Sequence, residues 1–111
     1  MAKYMILFKS TFSASELMAH ATPEQMQNSM QEWMTWKDNL DSSIEFDWGL
    51  PLQTVAEVAP GEVTQGNSPV SGYAIMQGDE QAITDILKSH PHLKRDGASI
   101  DVLEMMSMPG M

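Results

Sequence analysis

Apolar and polar positions along the chain fall into short blocks that predict four strands and two helices. Residues 3–9 are apolar on both faces of an extended segment, which is typical of a strand covered on both sides. Pro51 interrupts a second extended stretch and predicts a bend, a bulge or an edge position there. This second stretch comprises residues 44–48 and 52–58, on either side of the interruption. The third and fourth extended segments are 72–77 and 98–106.

The clearest helix of the sequence follows Thr22. This residue offers an N-cap hydroxyl, Pro23 occupies the first helical position, and Gln25 completes a capping-box pattern. The helix should end near residues 41–43. At helical spacing one apolar stripe is expected to face the core, and it comprises Met26, Met30, Trp33, Met34 and Leu40.

A second helix follows Asp79, which is placed to cap it, and Pro91 ends it because proline cannot continue a helix. The segment 59–72 is rich in proline and glycine and predicts a long loop. Residues 10–21 are polar and irregular, with a turn of helix expected around 16–20. The apolar stripe of the second helix comprises Ala82, Ile83, Ile86 and Leu87.

The order of the elements is β-α-β-β-α-β, which predicts a ferredoxin-like α+β fold with one antiparallel sheet and two helices on one face. The 111 residues are expected to form a single domain, 1–111, with a loose tail at 107–111. Several strands are apolar on both faces, whereas two helices cover only one. We therefore expect a second copy of the chain to bury the open face in a homodimer.

Charge and composition exclude several classes of function. Six Lys and Arg against fifteen Asp and Glu give a net charge of −9, which would repel DNA or RNA, so we expect no nucleic-acid partner. Cysteine is absent, which excludes disulfides and thiolate chemistry and suits a reducing compartment. The apolar runs are too short for a signal peptide or a membrane span, and we expect a cytoplasmic protein without a membrane partner.

Methionine is unusually frequent, with eleven residues. The interpretation that we favour is that methionine replaces leucine and isoleucine in an ordinary core, because most of these residues occupy periodic apolar positions. The alternative is a soft-metal or promiscuous binding surface.

The succession of short sequence words resembles the YCII-related domain family of dimeric α/β-barrel proteins. The resemblance covers nearly the whole chain, in order, and each word by itself is weak. The matching words are Lys3-Tyr4-Met5-Ile6-Leu7, Trp33-x-x-Trp36, Trp48-Gly49-Leu50-Pro51, Asn67-Ser68-Pro69-Val70-Ser71-Gly72-Tyr73-Ala74-Ile75, Asp79, His90-Pro91-His92-Leu93 and Ala98-Ser99-Ile100-Asp101-Val102-Leu103-Glu104.

The resemblance implies a ferredoxin-like protomer whose sheet packs against a second copy, and a pocket between the sheet and the helices. Some members of the family carry a histidine just after the proline of the first helix, as part of an acid–base dyad with an aspartate. Here Pro23 is followed by Glu24 and Gln25, so this histidine is missing. The family's Asp-Pro-aromatic stretch is replaced by His90-Pro91-His92.

His92 is the candidate for acid–base chemistry, because imidazole titrates near neutrality, and Asp79 or Asp96 could orient it. The alternative is that His92 caps the carbonyls at a helix end, and that Asp79 is only a helix cap. His90 and His92 could also form part of a metal site, but no third ligand has a recognisable spacing, and we expect no metal. We expect His92 to line a cavity with Trp36 or Tyr73, Leu93 to anchor the segment, and His90 to be largely exposed.

Aromatic side chains could form the walls of a pocket, and the candidates are Trp36, Trp48 and Tyr73. The alternative is that the tryptophans belong to the core or to a dimer interface. Lys37 lies in the apolar stripe of the first helix. It could meet an anionic ligand, or its side chain could extend past its neighbours to water.

The sequence therefore predicts a small cytoplasmic homodimer that binds a compact aromatic or carbonyl-bearing metabolite. It would act without a cofactor, as a lyase or isomerase that transfers a proton, with His92 as the proton carrier. The alternative is a non-catalytic module for ligand sensing or protein interaction. The missing dyad histidine favours this alternative.

Overall fold

The computed structural model describes residues 2–12 and 14–110, and it has an α+β architecture. A four-stranded antiparallel sheet carries the helices on one face, and a separate two-stranded hairpin extends from it. The elements, in chain order, are β1 (Lys3–Lys9), α1 (Ala14–His20), α2 (Pro23–Asp38), β2 (Glu45–Pro51), β3 (Glu57–Ala59), β4 (Glu62–Thr64), β5 (Val70–Gln77), α3 (Glu80–Leu87), a short 3-10 helix (Pro91–Lys94) and β6 (Ser99–Met105).

The large sheet has the strand order β2-β5-β1-β6. Every neighbouring pair is antiparallel, so β1 and β2 run in the same direction with β5 between them. This arrangement is compatible with the ferredoxin-like fold that the sequence predicts. β2 is an edge strand, and its register shifts between Trp48 and Pro51. The expectation of a bulge or edge position at Pro51 is therefore confirmed.

The core lies between one face of the sheet and the helices. Directly paired residues of antiparallel strands share a face, and the pairs Tyr4–Met76 and Ile6–Ala74 put the buried side chains of β1 and β5 together. Ile83 and Leu87 of α3 cover them, as the stripe of the second helix predicts. The buried hydrophobic residues are Tyr4, Ile6, Phe8, Trp36, Ala74, Met76, Ile83 and Leu87.

The starts of α2 and α3 follow the sequence signals. Thr22 accepts a hydrogen bond from the N–H of Gln25, and the Gln25 side chain accepts one from the N–H of Thr22, so the capping box is complete. Asp79 accepts a hydrogen bond from the N–H of Ala82 and caps α3. The end of α2 comes at Asp38, earlier than expected.

The expected core stripe of α2 has the wrong phase. Trp36 is buried and Trp33 and Leu40 are half-buried, whereas Met26, Met30 and Met34 are exposed. The helix packs on the sheet through the face that includes Trp33, Trp36 and Leu40, at i, i+3 and i+7 spacing. Its methionines lie to one side of this face and are not part of the core.

The segment after β2 differs from the expected long strand and loop. A hairpin of β3 and β4 forms within it, closed by Pro60 and Gly61, and Gly61 has the positive φ of 71° that a proline–glycine turn requires. Val58 and Val63 are directly paired across the hairpin and are 76% and 69% exposed. The hairpin therefore projects from the body of the molecule.

Within residues 2–12 and 14–110, no helix covers the second face of the large sheet. The molecule measures 49 × 44 × 20 Å, which corresponds to a sheet with one layer of helices. Met5 is paired with Ile75 on one side and with Leu103 on the other, which places all three on this open face. Leu103 and Met105 are 49% and 44% exposed.

Candidate functional site

A pocket of about 920 Å³ opens at the end of the sheet where β1 and β2 finish. The N-terminal half of α2 and the preceding α1 form one side, and the bulged end of β2 forms the other. The 3-10 helix closes the end next to β1. The lining residues are Phe8, Phe12, Glu16, Met18, His20, Ala21, Gln25, Met26, Ser29, Met30, Trp33, Met34, Trp48, Gly49, Leu50, Pro51, Ser71, Gly72, Tyr73, His92 and Arg95.

Four methionines form one wall of the pocket: Met18, Met26, Met30 and Met34, which we call the methionine wall. Their side chains are between 43% and 67% exposed, so the expectation that methionine mainly fills the core is wrong for them. Met76 is the clear case of a core methionine, with no exposed surface. Met1 and Met111 lie outside the described residues. The methionine wall has the flexible, apolar character of adaptable binding surfaces.

Aromatic rings form the floor of the pocket. Trp33 stacks on Trp48 with 6.0 Å between the ring centroids, and Trp33 also contacts Phe8 at 5.0 Å. Tyr73 reaches the pocket across Gly49 of β2, where a Cβ atom would overlap the carbonyl oxygen and the ring of Tyr73. Trp48 and Tyr73 therefore lie where the sequence places the pocket walls, whereas the contribution of Trp33 was missed.

Trp36 belongs to the core and not to the pocket wall. Only 7% of its surface is exposed, and its indole N–H donates a hydrogen bond to the carbonyl of Ile86 over 3.3 Å. Its ring packs edge-on against Phe46. Lys37 is half-buried beside it and is not among the residues that line the pocket.

His92 lies at the end of the pocket next to β1. Its side chain is 5% exposed, and its Nε2 lies 2.8 Å from the carbonyl oxygen of Lys9. A carbonyl only accepts hydrogen bonds, so Nε2 carries the proton and Nδ1 is the basic atom of the neutral ring. Burial lowers the pKa of His92 and the charge of Arg95 lowers it further, while backbone hydrogen bonds at Lys9 and Ser99 oppose the shift. His92 is therefore neutral at pH 7.

The structure does not bring Asp79 and His92 together. Asp79 is at the start of α3, and eight helical residues, about 12 Å at 1.5 Å per residue, separate it from the segment that carries His92. Asp96 is exposed and does not line the pocket. His92 lines the pocket together with Tyr73, as expected, but its ring contacts are with Phe8 and Trp33, at 5.3 and 6.4 Å.

His90 is buried, so the expectation that it is largely exposed is wrong. Only 2% of its surface is exposed, whereas Leu93, the expected anchor, is 37% exposed. His90 caps the 3-10 helix: its Nδ1 accepts a hydrogen bond from the N–H of His92. This cap turns both imidazoles inward and Leu93 outward.

Three aromatic rings surround His90. The centroids of Trp33, Trp36 and Phe8 are 4.4, 4.5 and 5.0 Å from that of the imidazole. Burial, together with the nearby His92, lowers the pKa of His90 to about 4. Its Nε2 has no hydrogen-bond partner among the described residues. A sequence signal for this burial existed, since Ile83, Leu87 and His90 continue one stripe at i, i+4 and i+7.

The part of the chain that the structure describes contains no group of three acidic, histidine or cysteine side chains that could hold a metal ion. Within residues 2–12 and 14–110, no helix has the length and apolar character needed to cross a membrane.

Comparison of the chain with models of known protein families and with curated proteins found no match. The resemblance to the YCII-related family therefore rests on the sequence words alone.

Proposed function

We propose that the protein binds a compact aromatic or carbonyl-bearing metabolite in the pocket at the end of its sheet. The pocket itself carries this proposal, because it is concave, mostly apolar and lined by aromatic rings. Fewer polar than apolar side chains line it, and they include His92 and Arg95 at the end next to β1. A largely apolar cavity with few convergent polar groups is typical of small-molecule sites.

The details of the walls favour planar, adaptable ligands. Trp48 is 44% exposed although it contacts Trp33 and Phe46, so part of its indole surface is accessible to an incoming ring. The methionine wall opposite can adjust to different shapes. A ligand that lies between them would remove apolar surface from water on both of its faces.

The experiment is a screen of aromatic acids, aldehydes, ketones and amides by saturation-transfer NMR, followed by calorimetry on the best compounds. Met30→Glu places a charge in the methionine wall and should weaken binding at least tenfold. The matched control is Met106→Glu, because Met106 is also exposed, at 81%, and does not line the pocket. Equal affinity in the two variants, or no binding by any compound, would contradict the proposal.

We also propose that two copies pair through the open face of the sheet, as a ferredoxin-like dimeric α/β barrel in the cytoplasm. The apolar side chains Met5, Ile75 and Leu103 on that face support the pairing, because a contiguous apolar surface rarely remains exposed in a monomer. The absence of cysteine in the sequence suits a reducing compartment.

Proton-transfer catalysis is the second candidate function, and a buried neutral imidazole in the pocket favours it. In this case Nδ1 of His92 would accept a proton from the ligand, in a cofactor-free isomerase or lyase reaction. Turnover of a bound compound that disappears in His92→Asn would support it. Binding without turnover would favour a ligand-sensing module.

Gln25 favours the non-catalytic alternative. It lines the pocket near the place where the resemblance would put a histidine, but its amide cannot titrate. Its side-chain oxygen already accepts the N–H of Thr22 over 3.0 Å. The Gln25 side chain therefore helps to cap the N-terminus of α2.

A further inference from the structure

Arg95 is an exposed cation at one end of a mostly apolar pocket. It follows the 3-10 helix and lines the pocket beside His92. Three ion pairs form among the side chains that the structure describes, and Arg95 takes part in none of them. Its neighbour Lys94, by contrast, pairs with Glu32 over 2.9 Å.

Acidic residues outnumber basic ones fifteen to six, yet Arg95, like Lys3 and Lys37, takes part in none of the ion pairs among the described side chains. The charge of Arg95 is strong enough at this end of the pocket to disfavour protonation of His92. The lining also contains one carboxylate, that of Glu16 on α1, which cannot attract an anionic ligand. Arg95 is therefore the charged group that is available to a ligand.

We propose that the pocket selects an aromatic monocarboxylate, with the carboxylate at Arg95 and the ring system against Trp33 and Trp48. This inference rests on the proposed function and specifies its ligand class. A guanidinium presents two parallel N–H donors that match the two oxygens of a carboxylate. One cation balances one negative charge, which favours a carboxylate over a doubly charged phosphate.

The dimensions of the pocket set the size of the apolar part. Phe8 on β1 and Trp48 on β2 are separated by β5, which corresponds to about 10 Å at the usual strand spacing. A bicyclic aromatic acid spans this distance. Its ring would lie on the aromatic floor, and its carboxylate would extend toward Arg95 at the β1 end.

The test compares 2-naphthoate with 2-naphthamide by isothermal titration calorimetry. The two compounds share one ring system and differ in charge. The wild-type protein should bind the acid at least tenfold more tightly than the amide. In Arg95→Gln the two affinities should become equal within about twofold, with the affinity for the amide unchanged.

The matched control is Lys94→Gln, which removes the same charge one residue away and should keep the preference for the acid. Tight binding of the amide without a preference for the acid would overturn this inference and leave the proposed function standing. If Arg95→Gln still binds the acid more tightly than the amide, this inference is also overturned and the proposed function stands. A failure of both compounds to bind, together with the wider screen, would overturn the proposed function as well.

Discussion

The backbone N–H of His92 donates a hydrogen bond to the side-chain Nδ1 of His90 over 3.0 Å. Because an N–H can only donate, Nδ1 of His90 is unprotonated and Nε2 carries the ring proton. The Nε2–H of His90 lies among the rings of Phe8, Trp33 and Trp36, whose aromatic faces are weak hydrogen-bond acceptors. The bond fixes the tautomer of His90 and orients the backbone that presents His92 to the pocket.

The first prediction is that His90 makes stability depend on pH. Its pKa is about 4 in the folded chain and about 6.5 in the unfolded chain. Above pH 6.5 both states are neutral, whereas between pH 6.5 and 4 only the unfolded state takes up the proton. The free energy of unfolding should therefore fall by up to about 3 kcal/mol across this range. Urea denaturation at several pH values measures it.

His90→Asn keeps an N-cap acceptor but removes the titration, so its unfolding free energy should depend less on pH in this range. His20→Asn is the control, because His20 is exposed. Parallel pH curves for the wild type and His90→Asn would show that His90 is not buried in a neutral form.

The second prediction concerns the start of α2. Thr22→Ala removes the hydroxyl that accepts the N–H of Gln25, and it should lower the free energy of unfolding by about 1 kcal/mol. Thr35→Ala, at an exposed position within the same helix, should raise it by up to about 0.5 kcal/mol. Chemical denaturation of both variants checks the pair, and equal effects would contradict the capping role.

The third prediction is that Gly49 cannot accept a side chain. A Cβ at Gly49 would overlap the backbone oxygen of Tyr73 and approach ring atoms of the same residue to 2.6 Å. Gly49→Ala should therefore destabilise the fold by about 1–3 kcal/mol and displace Tyr73 from the pocket.

Gly72→Ala is the comparison for this prediction, since the nearest atom to its Cβ would be the oxygen of Leu50 at 3.6 Å. It should be tolerated. Thermal unfolding together with the chemical shifts of the Tyr73 ring distinguishes the two variants. A normal melting temperature for Gly49→Ala would exclude the close contact.

The fourth prediction tests the pairing of two chains. Light scattering of the wild type at micromolar concentration should give about twice the chain mass of 12.3 kDa. Leu103→Glu introduces a charge on the open face and should raise the dissociation constant at least tenfold. Met106→Glu, beyond the last strand, should leave the mass unchanged. A folded, monomeric wild-type protein would contradict the proposed dimeric barrel.

The starts of α2 and α3 were the most predictable part of the fold. Thr22 and Asp79 are residue types that accept hydrogen bonds from the free N–H groups at a helix start, so these caps were apparent without tertiary information. The face of α2 that packs on the core could not be predicted, because a pattern of apolar positions does not distinguish methionine from tryptophan. In the structure Trp36 faces the core and Met34 faces the pocket.

The pocket could be predicted in part. Trp48 and Tyr73 were expected as walls, but the contact that places Tyr73 over Gly49 depends on the register shift of β2. The burial of His90 was missed for a similar reason, whereas His92 faces inward as expected. Whether His90 or Leu93 faces inward is decided by the turn that the 3-10 helix makes, and one hydrogen bond at its cap sets that turn.

The methionine wall also makes the pocket sensitive to oxidation. Peroxide converts an exposed methionine to a polar sulfoxide, and the sequence has no cysteine to compete for the oxidant. Met30 is 67% exposed and would be oxidised before Met76, which has no exposed surface. Oxidation would therefore turn an apolar wall polar and leave the core intact, so that ligand uptake is lost while the fold persists.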